Sequence, residues 1–168
     1  SSSDLRDVDG VELTANHVDD GPQTRLSSDA FRITSDVPVV AYQFNTLDQQ
    51  FSNDASLLLP TSALGKDHIV VGYPPSGPVA WAGSPKNRGY VTIVGVEAAT
   101  TVTVTPSFDI DLGEGIDAIE AGTPTDFVIG PFDVVNLDTR FMTLADMTIP
   151  DLSGTTVVSD GPVAVFYG

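Results

Sequence analysis

The 168-residue chain carries 23 acidic residues against seven Lys and Arg, a formal charge of −16, and no cysteine. Its length suits one domain with a buried core, and the missing cysteines exclude disulfides, thiolate metal sites and cysteine nucleophiles. The charge repels phosphate backbones and anionic lipid, which excludes nucleic acid as a partner; membrane insertion is excluded too, because no run approaches the ~20 apolar residues of a spanning helix.

Nineteen of the acids are Asp and four are Glu. Asp suits turns, where its short carboxylate bonds backbone two residues on, whereas Glu suits helices; the bias favours an all-β chain rich in turns. The opening "SSSD" reads as the end of a linker or a processing scar. Residues 1–29 form an N-terminal arm or the first strands of the domain, with a strand expected at 11–15, and residues 30–168 form the main domain. Asp7, Asp9, Glu12, Asp19 and Asp20 crowd the arm, either as turn formers or as repelling carboxylates that an ion would draw together.

Short runs rich in Val, Ile, Thr and aromatics, fenced by Gly, Pro, Asn and Asp, predict strands at 30–34, 39–45 and 56–59. A helical turn is expected at 62–64 and a further strand at 68–73. The run "ITSDVPVVAYQF" at 33–44 returns as "VVSDGPVAVFYG" at 157–168, an offset of 124 residues. Ser35, Asp36 and Pro38 match Ser159, Asp160 and Pro162. The repeat predicts matching settings, each Asp capping a turn and each Pro opening a strand, where its missing N–H costs least. Val39, Ala41, Val163 and Val165 then face the core.

The loop "GYPPSGPVAWAGSPKNRGY" holds four prolines and the only Trp. Tyr73, Trp81, Asn87, Arg88 and Tyr90 supply flat apolar area with directional polar groups, as a sugar- or protein-binding patch requires. In the competing reading Trp81 plugs one end of the fold and the cations neutralise nearby Asp.

"GYVTIVGVEAATTVTVTP" reads as a hairpin, with strands at 90–96 and 101–105 around a Glu-Ala-Ala turn. Its Thr-Val alternation turns Val102 and Val104 inward. In "SFDIDLGEGIDAIEAG", Asp109, Asp111, Asp117 and Glu120 fall at positions one, three, nine and twelve of a partial EF-hand-like spacing, an oxygen set suited to calcium. Position six, where the sharp turn needs Gly, is Glu114, and no helices flank the loop; the alternative is a solvated acidic loop. Calcium is the one cofactor this reading admits.

Strands at 125–129, 133–137, 155–158 and 163–167 bring the total to about ten, which predicts a single antiparallel two-sheet β-sandwich. No catalytic residues emerge: His17 and His68 have no Gly-x-Ser-x-Gly elbow beside them, and Ser153 and Gly154 in "DLSGT" read as a turn or bulge.

Taken in order, "FRITSDVPVVAYQFN", "DASLLLPTSALGKDHIVVGYP", "VTIVGVEAATTVTVTP" and "DLSGTTVVSDGPVAVFYG" resemble the successive blocks of the IgGFc-binding protein N-terminal domain family, over about residues 31–168. The resemblance implies an extracellular module of secreted or surface proteins, here a bacterial member, without catalytic residues. It also implies that the "SD-x-PV" block recurs, each copy opening a further round of the same strands. IgG binding does not follow, because the matched motifs are scaffold strands.

The leading expectation is a non-enzymatic extracellular module for adhesion or surface display, meeting a protein or glycan at a cell surface. One alternative is a filament subunit that self-associates by donating terminal strands. The other is a glycan-directed hydrolase or carbohydrate-binding module whose acids converge.

Overall fold

The computed structural model describes residues 23–46, 53–75, 88–140 and 149–168. Ten strands follow one another in chain order among them: β1 (Arg25–Ser27), β2 (Ala41–Thr46), β3 (Asn53–Leu58), β4 (Asp67–Ile69), β5 (Tyr90–Gly95), β6 (Thr100–Thr105), β7 (Thr125–Ile129), β8 (Val134–Asp138), β9 (Thr156–Ser159) and β10 (Val163–Tyr167). Among the described residues the helical element is the short 3-10 turn Thr61–Ala63, close to where a turn was expected. Strand 11–15 and the acids of the arm lie outside the described residues.

The first sheet has the order β1-β8-β5-β10, the second β4-β9-β6-β7, and β2 pairs with β3 as a separate hairpin. Every strand-to-strand ladder among the described residues is antiparallel. Alternation builds the core. In β5, Val91 and Ile93 point inward; β8 adds Val135 and Leu137, and β10 adds Val163. The second sheet answers with Val102 and Val104 from β6, Ile129 from β7 and Val157 from β9. Each of these nine is at most 1% exposed, so two inner faces share one dry core and the fold is an antiparallel sandwich.

Three expectations need correction. The run at 90–105 is not a hairpin, since β5 lies in the first sheet and β6 in the second. Its turn carries the chain from one layer to the other, so Ile93 and Val102 belong to opposite sheets of one core and not to one ladder. Residues 30–34 form no strand; β1 forms earlier, where the chain is tied to β8 and to the loop at 114. There the Gln23 N–H donates to Asp138 Oδ2 at 2.7 Å, and the Asp138 N–H donates to Thr24 Oγ1 at 3.0 Å. These tertiary bonds make a strand out of residues with no periodic signal.

The third correction concerns the two "SD-x-P" copies. The second behaves as expected: Pro162 precedes β10, and Asp160 Oδ1 accepts the Thr101 N–H at 2.8 Å. It also crosses layers, because β9 belongs to the second sheet and β10 to the first. The first copy lies outside both sheets, and β2 begins three residues after Pro38. Val39 is 59% exposed instead of inward, and Ala41 is half-buried. Val163 is buried as expected and Val165 packs against the core.

Candidate functional site

At one end of the sandwich a shallow cleft with room for little more than a water molecule, about 10 Å³, is lined by three tyrosines. Tyr73 follows β4, Tyr90 opens β5 and Tyr167 closes β10. They are 92%, 38% and 49% exposed respectively. Pro150, Asp151 and Ser153 line it as well.

The frame around the rings is made of backbone. The Val70 N–H donates to the Thr155 carbonyl and the Gly154 N–H to the Val70 carbonyl, both at 2.9 Å, which fixes the segment leading to Tyr73. Ser153 extends this seam: its hydroxyl donates to the Gly72 carbonyl and accepts the Gly72 N–H, both at 3.1 Å. Gly154 has φ of 93°, so the "SG" of "DLSGT" is the turn anticipated before β9. Tyr90 and Gly168 exchange backbone bonds of 2.8 and 3.2 Å, tying the chain's last residue to the start of β5. A Cβ on Gly72 would sit 2.8 Å from Tyr167 Cδ2, so the tyrosine ring lies directly on backbone that only glycine leaves bare. The candidate site is an aromatic rim on a hydrogen-bonded backbone frame.

Of the residues singled out for ligand binding, Tyr73 and Tyr90 are brought together here; Trp81 and Asn87 lie outside the described residues. Arg88 is turned away from the cleft. Its Nη1 donates to Asp111 Oδ2 and to the Thr139 carbonyl, both at 2.8 Å, and its side chain is largely covered. This matches the alternative in which a cation of the loop neutralises a nearby Asp. Tyr167 was not singled out from sequence. The signal for it was register: Tyr167 continues the inward series Val163, Val165, one step past the end of the core.

The acidic loop is anchored by its apolar residues. Ile110, Ile116 and Ile119 are buried in the core, and Ile110 pairs with Ile119 across the loop. Asp109 forms an ion pair with Arg140 at 2.9 Å and accepts the Ala121 N–H, while Asp111 is held by Arg88. Asp117 and Glu120 are exposed. Among the described residues, no group of three or more His, Asp or Glu is arranged to hold a metal ion. His68, in β4 opposite Val157, stands in the sheet and not beside the cleft.

The described residues include no helix long and apolar enough to cross a membrane. No curated protein and no solved structure matches the chain. The family model described as IgGFc binding protein matches residues 54–168, from within β3 through the end of β10. That span holds all of the second sheet, three strands of the first and every residue of the tyrosine cleft, and it leaves out the first "SD-x-P" copy. The chain belongs to the IgGFc binding protein family.

Proposed function

We propose that this chain is a non-enzymatic extracellular binding module, used in adhesion or surface display, that meets its partner through the tyrosine cleft. One observation carries the reading: three tyrosines from distant parts of the chain, two of them about half exposed or more, converge on one backbone-framed rim. Exposed aromatics on a rigid frame give large contact area with little side-chain entropy to lose, and their hydroxyls add direction. The Asp151 carboxylate beside them adds an acceptor suited to a polar partner. A protein or a glycan at a cell surface offers the matching chemistry.

Two probes test this: a glycan array and an immobilised IgG Fc fragment, the latter because of the family's description. The expected result is that one probe retains the chain, and that Tyr73→Ala with Tyr167→Ala weakens retention at least tenfold without lowering the melting temperature. Retention that is indifferent to both tyrosines would place the binding surface elsewhere. No retention on either probe would remove the support for this cleft as a site for these two chemistries.

A further inference from the structure

The four strands at the edges of the two large sheets, β1, β10, β4 and β7, are not equally open. β1 is bonded on its outer side by the acidic loop, the Leu26 N–H donating to the Glu114 carbonyl at 3.4 Å. β10 begins against Gly65, whose carbonyl accepts the Val163 N–H at 3.1 Å. β7 carries the exposed Asp126 within its run, a charge of the kind that blunts an edge. β4 has a charge only at its first residue, Asp67, and continues with Ile69 and Val71.

The pairing of β4 with β9 extends beyond the strand itself. The Lys66 carbonyl accepts the Ser159 N–H at 2.8 Å, and the Val70 N–H donates to the Thr155 carbonyl at 2.9 Å. Past them the Ser153 hydroxyl bonds both backbone groups of Gly72. Even-numbered residues from 66 to 72 thus face β9 and its lead-in, and alternation turns the N–H and C=O groups of Asp67, Ile69 and Val71 to the open side. No hydrogen bond reaches those open groups among the described residues. The side chains agree: Ile69 and Val71 are 69% and 70% exposed, and Tyr73 of the cleft follows them on the same face.

Unpaired N–H and C=O groups at every second residue match one kind of ligand, another extended polypeptide; a glycan has no such ladder. Charge narrows the choice. Exposed Asp67 stands at one end of the run and Asp151 lines the cleft with Tyr73 at the other, while Lys66 is turned to the Asp160 carbonyl. A net charge of −16 opposes the pairing of two copies of this chain and favours a basic partner.

We propose that the edge at residues 67–73 takes a strand from a partner protein: an extended segment of about seven residues, apolar at alternate positions, with Lys or Arg toward both ends. Its backbone bonds the open groups of Ile69 and Val71, its apolar side chains cover those two residues, and one end lies on Tyr73. The inference rests on the reading of the tyrosine cleft as a binding site and makes its partner a polypeptide.

The probe is a capped peptide of that length, with Lys at both ends and Val alternating with Thr between, added to the full chain while amide hydrogen exchange is followed by NMR. The Ile69 and Val71 amides are expected to slow at least tenfold, whereas that of Val70, already bonded to Thr155, stays unchanged. The same peptide with Glu in place of Lys is expected to bind at least tenfold more weakly. Ile69→Lys repels the basic peptide and Val71→Pro removes an open N–H; either is expected to abolish the slowing and to leave the melting temperature unchanged. No slowing at millimolar peptide overturns the inference. A complex that Tyr73→Ala with Tyr167→Ala abolishes, but in which the Ile69 and Val71 amides exchange as before, keeps the cleft and overturns the strand. Slowing that survives the two tyrosine substitutions keeps the strand and removes the cleft. If the parent alone sediments as a dimer that Ile69→Lys dissolves, the edge joins copies of this chain, and the inference is overturned.

Discussion

Where the chain passes from β9 to β10, a carboxylate oxygen of Asp160 accepts the Thr101 N–H at 2.8 Å, and the Asp160 N–H donates to the Thr101 carbonyl at 3.1 Å. The pair closes the crossover against the first residues of β6. Asp160→Ala removes the side-chain half of this clasp and is expected to cost about 1 kcal/mol in urea unfolding. Asp36→Ala has no such bond to remove, and its effect is expected to stay within about 0.5 kcal/mol. Equal losses at the two positions would contradict their different settings. Asp133 makes a second residue-scale case. Its Oδ1 accepts the Ser28 hydroxyl at 2.6 Å and its Oδ2 accepts the Gly130 N–H at 2.8 Å. These bonds, the Ser28 bond foremost, hold its carboxyl below the usual 3.8. A carboxyl depressed in the folded state stabilises it fully above the ordinary value and progressively less as pH falls through the lowered one. Asp133→Asn is therefore expected to flatten the fall in melting temperature below about pH 4 and to leave its slope near neutrality unchanged.

Alternation in β5 and β6 told which side chains are buried and left open which strand pairs with which. A period of two fixes the face of a strand, and both a hairpin and a layer crossing satisfy it. The short "VEAAT" link reads as a hairpin turn, yet it leads between layers, because β5 takes its partners from β8 and β10 and β6 takes its own from β7 and β9. Those partners lie far along the chain, and no local pattern names them. β1 shows the converse: a strand held by Asp138 and Thr24 over a stretch without periodicity. By contrast β7 and β10 begin and end where the alternation and the fencing Gly and Pro place them. The crossing turn carries a strained residue, Ala99, at φ of 53°. The left-handed region costs a residue with a Cβ about 1 kcal/mol or more, while glycine adopts it freely at some entropic cost in the unfolded chain. Ala99→Gly is accordingly expected to stabilise the protein by up to about 1 kcal/mol, read as a higher urea midpoint at constant slope. A loss of stability there would show that the Ala99 methyl contributes packing.

Across the whole molecule, the site was legible only in part, for the same reason as the topology. Tyr73 and Tyr90 stand out in the loop between β4 and β5, but Tyr167 joins them from the far end of the chain, and only the packing of β10 beside β5 reveals it. Two acids of the 107–122 loop are engaged singly, Asp111 by Arg88 and Asp109 by Arg140, while the isoleucines hold the loop to the core. The two "SD-x-P" copies are nearly the same in sequence, and their contributions to the molecule differ. The second spans both layers: β9 stands between β4 and β6 in one sheet, and β10 closes the edge of the other. Removing residues 157–168 takes away Val157 and Val163 together and leaves Val104 and Ile93 uncovered in both sheets. Several buried aliphatic side chains at about 1.5–3 kcal/mol each exceed what a domain of this size holds in reserve. The truncated chain is expected to lose its cooperative thermal transition and to aggregate. The first copy has no share in that core, so Ile33→Asp with Val39→Asp is expected to shift stability by no more than about 0.5 kcal/mol. Circular dichroism melts of the two variants beside the parent decide it: a folded truncation, or a double-Asp variant that unfolds, would show that the roles of the copies are assigned the wrong way round.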